Sequence, residues 1–221
     1  MLKDFSFEEV DKIAQNIEGW LDVHEPRLLY NCAKDLRGDG VIVEIGSWCA
    51  KSLTYITSGA IEGGFKNKIY SIDPFLTSKD EPNGKYETFI TNLKKTGLFE
   101  KIIHIKEKSQ IVGKSFNEKI GFLFIDGFHK YEAVKEDFKL FYPKVIDGGF
   151  VAIHDVAYYK GPTDLIKELV NEKTFKMLTF CDSILLARKV SQLSHEDELQ
   201  NIKIIDAINT KLKMENITPI I

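Results

Sequence analysis

The chain has 221 residues, 43% of them hydrophobic and 29% charged, and a formal net charge of −3. That is enough apolar material for one substantial core, and too little positive charge for nucleic-acid binding, which needs clustered Lys and Arg to displace counterions. Cys32, Cys49 and Cys181 form no C-x-x-C pair and sit in core-like segments, which fits a reducing cytoplasm, while the lack of a signal-type or bilayer-length apolar run argues against a membrane partner.

Two helical patterns come first, over 7–17, opened by Ser6 with Glu9 three residues on, and over 25–36, where Leu28, Leu29, Cys32 and Leu36 share a face. They form an expected N-terminal helical cap, residues 1–40. After Arg37-Gly38-Asp39-Gly40 the texture changes, and apolar runs too short for helices alternate with amphipathic stretches. Strands are expected at Val41–Ile45, Ile69–Ile72, Ile102–Ile105, 122–125 and 150–153, with helices near 52–61, 86–95, 131–141 and 163–171. This alternation predicts an α/β fold with a doubly wound, mostly parallel sheet. Two more β-rich runs, 174–180 and 183–187, are separated only by Cys181-Asp182, too short for a crossover helix, so they must pair as a hairpin. The sheet is then seven-stranded with its last strand antiparallel, within a body spanning 41–190. The tail, 191–221, carries helical spacing from His195 to Met214 and is expected to pack on the body or on a second subunit of a homo-oligomer.

The turn Glu44-Ile45-Gly46-Ser47-Trp48-Cys49-Ala50-Lys51-Ser52 follows the first strand, where an open α/β sheet binds its ligand. Gly46 permits a tight turn, and the following helix start offers free amides. A plain strand-to-helix turn would need no more than this. The dinucleotide pattern G-x-G-x-x-G is absent, and Trp48 at its second glycine position argues against NAD. Asp73, at the end of the second strand, is placed to accept hydrogen bonds from a ribose, although Asp-Pro is also a turn signal. Ser109 and Gln110 after the third strand could meet an adenine edge, or Ser109 could cap a helix.

The stretch from Val43 to Ser52 resembles the first motif of the catechol-type and sugar-type O-methyltransferases, and Ser109-Gln110 is similar to their adenine-side motif. Phe124-Ile125-Asp126-Gly127-Phe128-His129-Lys130-Tyr131, followed by the run from Asp147 to Asp155, resembles the macrolide-sugar group of small-molecule methyltransferases more closely still. The resemblance runs from about Gly19 to Lys189. It implies that Glu44, Gly46, Ser47, Trp48 and Ser52 serve the methionine end of S-adenosylmethionine, Asp73 its ribose, and Ser109 and Gln110 its adenine, with Asp126 also at the cofactor. Ala50 replaces the family's usual Gly, and its methyl is expected to crowd the cofactor slightly.

Methyl transfer to a hydroxyl needs alignment and removal of one proton, a task that a divalent metal with oxygen ligands can share. Asp126 and Asp155 end adjacent expected strands, and His129 lies three residues past Asp126. Each could equally be a turn or surface residue. In the family resembled, the D-x-x-H pattern supplies a metal-binding Asp and a general-base His, here Asp126 and His129, and an acidic pair completes the metal site. Here that pair reads His154-Asp155, which puts magnesium in question, because imidazole suits zinc, iron or manganese-like sites better. Trp20, Phe75, Tyr158 and Tyr159 are candidate walls of an acceptor pocket. The function these residues suggest is methyl transfer from S-adenosylmethionine to the hydroxyl of a small molecule, a sugar or secondary metabolite, with magnesium or manganese as candidate helper. A nucleotide-dependent oxidoreductase and a non-catalytic cofactor-binding module are the alternatives.

Overall fold

The computed structural model describes residues 2, 4–76 and 85–214. Its strands are β1 (Val41–Ile45), β2 (Ile69–Ile72), β3 (Ile102–Ile105), β4 (Ile120–Ile125), β5 (Val145–Ile153), β6 (Phe175–Cys181) and β7 (Ile184–Lys189). They form one sheet in the order β3-β2-β1-β4-β5-β7-β6. β7 runs antiparallel to both β5 and β6, while the first five strands pair in parallel. The chain winds outward from β1 to β2 and β3 on one side and from β4 onward on the other. The crevice at the carboxyl ends of β1 and β4 is therefore the switch point at which such sheets take a ligand.

The helices are α1 (Phe7–Ala14), α2 (Glu25–Lys34), α3 (Lys51–Glu62), α4 (Tyr86–Thr96), α5 (Ser109–Ser115), α6 (Tyr131–Phe141), α7 (Lys160–Leu169) and α8 (His195–Met214). Strand alternation sends Val41, Val43 and Ile45 into a core shared with α5, α6, α7 and α8, and Ile42 into a second core shared with α2, α3 and α4. Glu44 follows Ile42 by two residues and so belongs to that second face, under α3. α2 contributes Leu29, Cys32 and Ala33, and Leu36 just past its end joins them, in the same cluster as Leu53 and Ile56 of α3. At the edge, buried Asn201 of α8 completes β6, its Oδ1 accepting from Met177 N and its amide donating to Phe175 O, both at 2.8 Å. Among the described residues, no helix is long and apolar enough to cross a membrane.

Several local expectations shift. Ser6 does not cap α1 with its side chain; its hydroxyl donates to Asp4 instead. α7 begins at Lys160, three residues early, because Pro162 falls in its first turn, where a missing N–H costs nothing. Ser109 opens α5 without capping it, since its hydroxyl is taken by Asp137. The hairpin turns at Asp182 and Ser183, with Asp182 at φ 52°, and Cys181 is still paired with Ile184. Phe75 is buried against Tyr86 and Phe89 and serves the core, not a pocket.

Candidate active site

Gly46 has φ +85°, and a Cβ there would lie 2.0 Å from the carbonyl oxygen of Asp126. The turn after β1 therefore rests directly on the backbone leaving β4, an approach only glycine allows. Beneath it, Glu44 is fully buried and accepts hydrogen bonds from Ser47 and, at 2.7 Å, from Ser52, while Ser71 donates to Ser47 at 2.7 Å. Burial pushes the Glu44 carboxyl up to about 8, against the pull of the two serines. Ala50 sits at φ 71° with its methyl packed into the α2–α3 core, so the departure from Gly strains backbone and does not crowd the crevice.

Asp73 accepts from Trp48 N at 2.9 Å and from Phe75 N at 2.6 Å, which fixes both of its oxygens at the rim of the crevice. Trp48, at φ 40°, stacks on the exposed Trp20 with ring centroids 4.3 Å apart. Opposite them, Asp137 Oδ1 accepts from Ser109 Oγ at 2.6 Å and Gln110 Nε2 at 2.8 Å. Burial raises Asp137 to about 6.

The ends of β4 and β5 carry the ionisable cluster. His129 Nε2 lies 2.8 Å from Asp155 Oδ2. His154 Nδ1 lies 3.0 Å from Asp126 Oδ1 and 3.5 Å from Asp155 Oδ2, and its Nε2 lies 3.1 Å from Glu25 Oε2. Burial opposes charge on His154, but the surrounding carboxylates, Asp126 first, raise it well above the ordinary imidazole value. Burial likewise opposes ionisation of Asp155, yet hydrogen bonds from His129 and His154 hold it well below the carboxylate range. All these groups except Glu25 and Glu44 line one cavity of about 1350 Å³, which also takes in the Gly46 turn, Asp73, Asp137, Trp20, Tyr158 and Tyr159.

A family model described as a methyltransferase domain matches residues 43–156, just over half of the chain, from β1 to the loop after β5. The chain belongs to this family of methyltransferases. An uncharacterized protein, R132, of Acanthamoeba polyphaga mimivirus is 32% identical to it over 122 residues, 49% of this chain and 53% of the viral protein. The chain thus spans about half the length of that curated relative. The fold is similar to that of the O-methyltransferase NovP, with a TM-score of 0.70 and 16% identity over 83% of this chain and 88% of NovP. It is also similar to that of a putative caffeoyl-CoA O-methyltransferase from Staphylococcus aureus, with a TM-score of 0.61 and 16% identity over 83% of this chain and 92% of the other.

The crevice has a lining that fits an adenosine-type cofactor: a glycine turn with no room for a Cβ, a helix start behind it, and Asp73 at the rim. Asp126, His154 and Asp155 also bring one ligand atom each within 4.8 Å of one another. Ligands about 2.1 Å from one ion and near right angles stand about 3 Å apart, so the separations at His154 Nδ1 suit a divalent ion. Three contributors escaped the sequence reading. Glu25 lay in the cap and Asp137 in the middle of an amphipathic helix, and neither falls in a motif. Gly161, whose Cβ would lie 2.1 Å from His129 O, seats α7 against the His129 loop; its Gly-Pro pair was the signal available.

Proposed function

We propose that this methyltransferase moves the methyl group of S-adenosylmethionine to a hydroxyl of a small molecule, a sugar or secondary metabolite, with His129 as general base. The observation that carries this reading is the His129–Asp155 pair standing in the same cavity as the Gly46 turn and Asp73. The O-methyltransferases among its structural neighbours support the choice of oxygen as acceptor.

The cofactor, when bound, supplies a methyl carbon activated by a positive sulfur. The Gly46 turn, with Ser47, Trp48 and Ser52, holds its methionine end, and Glu44 acts from below by fixing the two serines. Each Asp73 oxygen keeps a lone pair for a ribose hydroxyl after accepting from Trp48 and Phe75. Ser109 and Gln110, pinned by Asp137, frame the adenine. Asp155 accepts from His129 Nε2, which leaves Nδ1 as the basic nitrogen. When the acceptor oxygen receives the methyl group, whose bonding pair would stay with the cofactor's sulfur, His129 Nδ1 takes the proton that the hydroxyl loses. Asp126 orients the acceptor from the cavity wall. Asp126, Asp155 and His154 would hold a divalent ion, magnesium or manganese, whose contribution would be to lower the hydroxyl's pKa.

Calorimetric titration with S-adenosylmethionine, S-adenosylhomocysteine and NAD, followed by transfer assays on sugar and phenolic hydroxyls, tests the reading. Binding of the first two and methylation at oxygen are expected. Binding of NAD alone, or transfer only to nitrogen or carbon acceptors, would overturn it.

A further inference from the structure

Glu25 belongs to none of the elements that end at the cavity, yet it reaches the ionisable cluster from the N-terminal helix α2. Its carboxylate is fully buried and fully used. Oε1 accepts from Ser183 N at 2.8 Å and Ser183 Oγ at 2.7 Å, and Oε2 accepts from Asp22 N at 2.7 Å and faces His154 Nε2 at 3.1 Å. Every other partner is a donor, so the imidazole must also present Nε2–H to it. That leaves Nδ1 as the nitrogen turned toward Asp126 and Asp155, at the cavity wall. A carboxylate behind an imidazole is the arrangement that fixes the tautomer and ring plane of metal-binding histidines.

We infer that Glu25 is a positioning residue that makes His154 a nitrogen ligand, so that the Asp126–His154–Asp155 site selects manganese over magnesium. The inference rests on the metal reading proposed above and adds to it a residue and a selectivity. Two hard oxygens and one imidazole suit manganese, whereas magnesium favours an all-oxygen shell and sheds water reluctantly. The hairpin turn takes part as well, because Ser183 anchors the other oxygen of Glu25. The site is thus set by the N-terminal helix and the β6–β7 turn together, outside the matched region 43–156.

The test is Mn²⁺ binding by electron paramagnetic resonance and calorimetry, with Mg²⁺ as competitor, on the full chain saturated with S-adenosylhomocysteine. The wild type is expected to bind one Mn²⁺ and to require at least a tenfold excess of Mg²⁺ to release half of it. Glu25→Gln should weaken Mn²⁺ binding by roughly 10- to 100-fold with S-adenosylhomocysteine affinity unchanged, and Glu25→Asp should recover part of the loss. His154→Asp, which makes the site all-oxygen, should shift preference toward Mg²⁺. Should the Glu25 variants fail to fold, the wild-type ion preference and His154→Asp still decide. No Mn²⁺ binding by cofactor-bound wild type would overturn the inference and leave His154 as an ion-pair partner of three carboxylates. Unchanged affinity in Glu25→Gln would overturn it equally. Mn²⁺ binding without methylation of any hydroxyl would leave this inference standing and defeat the acceptor assignment, so the two fail separately.

Discussion

Glu25 and His154 are 129 residues apart in the chain, and their side chains meet at 3.1 Å with both groups almost completely buried. The contact ties the N-terminal helix to the strand end that carries the chemistry. Burial opposes ionisation of Glu25, but His154, Ser183 and the Asp22 amide hold it below its ordinary pKa. Removing one partner of such a pair leaves a charge and several donors uncompensated, which costs about 3–5 kcal/mol. Glu25→Ala should therefore lower the melting temperature by roughly 10 °C in a chain of this size. A melting point within about 2 °C of wild type would mean that water replaces the carboxylate at no cost.

His129 is held at Nε2 by Asp155 and packed against Tyr159, with ring centroids 4.0 Å apart. His129→Ala should lower kcat by about 10² to 10⁴, the usual worth of a positioned base, while the Kd for S-adenosylmethionine stays within about twofold. Single-turnover rates and calorimetry on the same preparations separate the two quantities. Turnover unchanged at saturating acceptor would remove His129 from the mechanism.

The parts legible in the sequence were those that repeat a local pattern. Short apolar runs at Val41–Ile45 and Ile69–Ile72 could only be buried strands, and Cys181-Asp182 was too short to cross a sheet, so topology followed from length and polarity. Asp126, His129 and Asp155 were legible because each sits just past a strand end. Glu25 and Asp137 were not, because helical periodicity treats a charged residue as a solvated one. Only the tertiary fold shows that Glu25 faces His154 or that Asp137 faces Ser109 and Gln110. Ala50 shows the same limit in reverse: its motif position suggested contact with the cofactor, but its backbone turns the methyl into the core.

Gly46 and Gly38 offer a controlled comparison, since both have positive φ, +85° and +95°, but only Gly46 has atoms where a Cβ would stand. An alanine at either position incurs about 1–2 kcal/mol of left-handed backbone strain. At Gly46 the added carbon would also lie 2.0 Å from Asp126 O, forcing the β1 turn away from β4. Gly38→Ala should therefore lose only the strain energy and bind S-adenosylhomocysteine normally, whereas Gly46→Ala should lose at least about 3 kcal/mol in urea unfolding and show no measurable cofactor binding. Equal losses in the two variants would show that the close contact relaxes freely.

Asp137 gives the fold a pH dependence whose sign is fixed by its surroundings. Burial raises its folded-state pKa from 3.8 to about 6, with Glu136 adding to the rise and Ser109 and Gln110 opposing it. Between those values the folded protein holds the proton and the unfolded chain does not, so stability falls as pH rises. The contribution is fully present below about pH 4 and is lost by about pH 6; a shift of that size corresponds to about 3 kcal/mol. Asn at the same position keeps an oxygen to accept from Ser109 and Gln110 and carries no charge to desolvate. Asp137→Asn should thus match wild-type stability near pH 4 and exceed it by about 3 kcal/mol at pH 7, as read from urea unfolding across that range. Because Glu44, raised to about 8, is present in both proteins, its own slope cancels in the difference. A difference that stays constant between pH 4 and pH 7 would show that the Asp137 carboxylate is solvated by water entering from the cavity, and that Ser109 and Gln110 do not depend on its protonation.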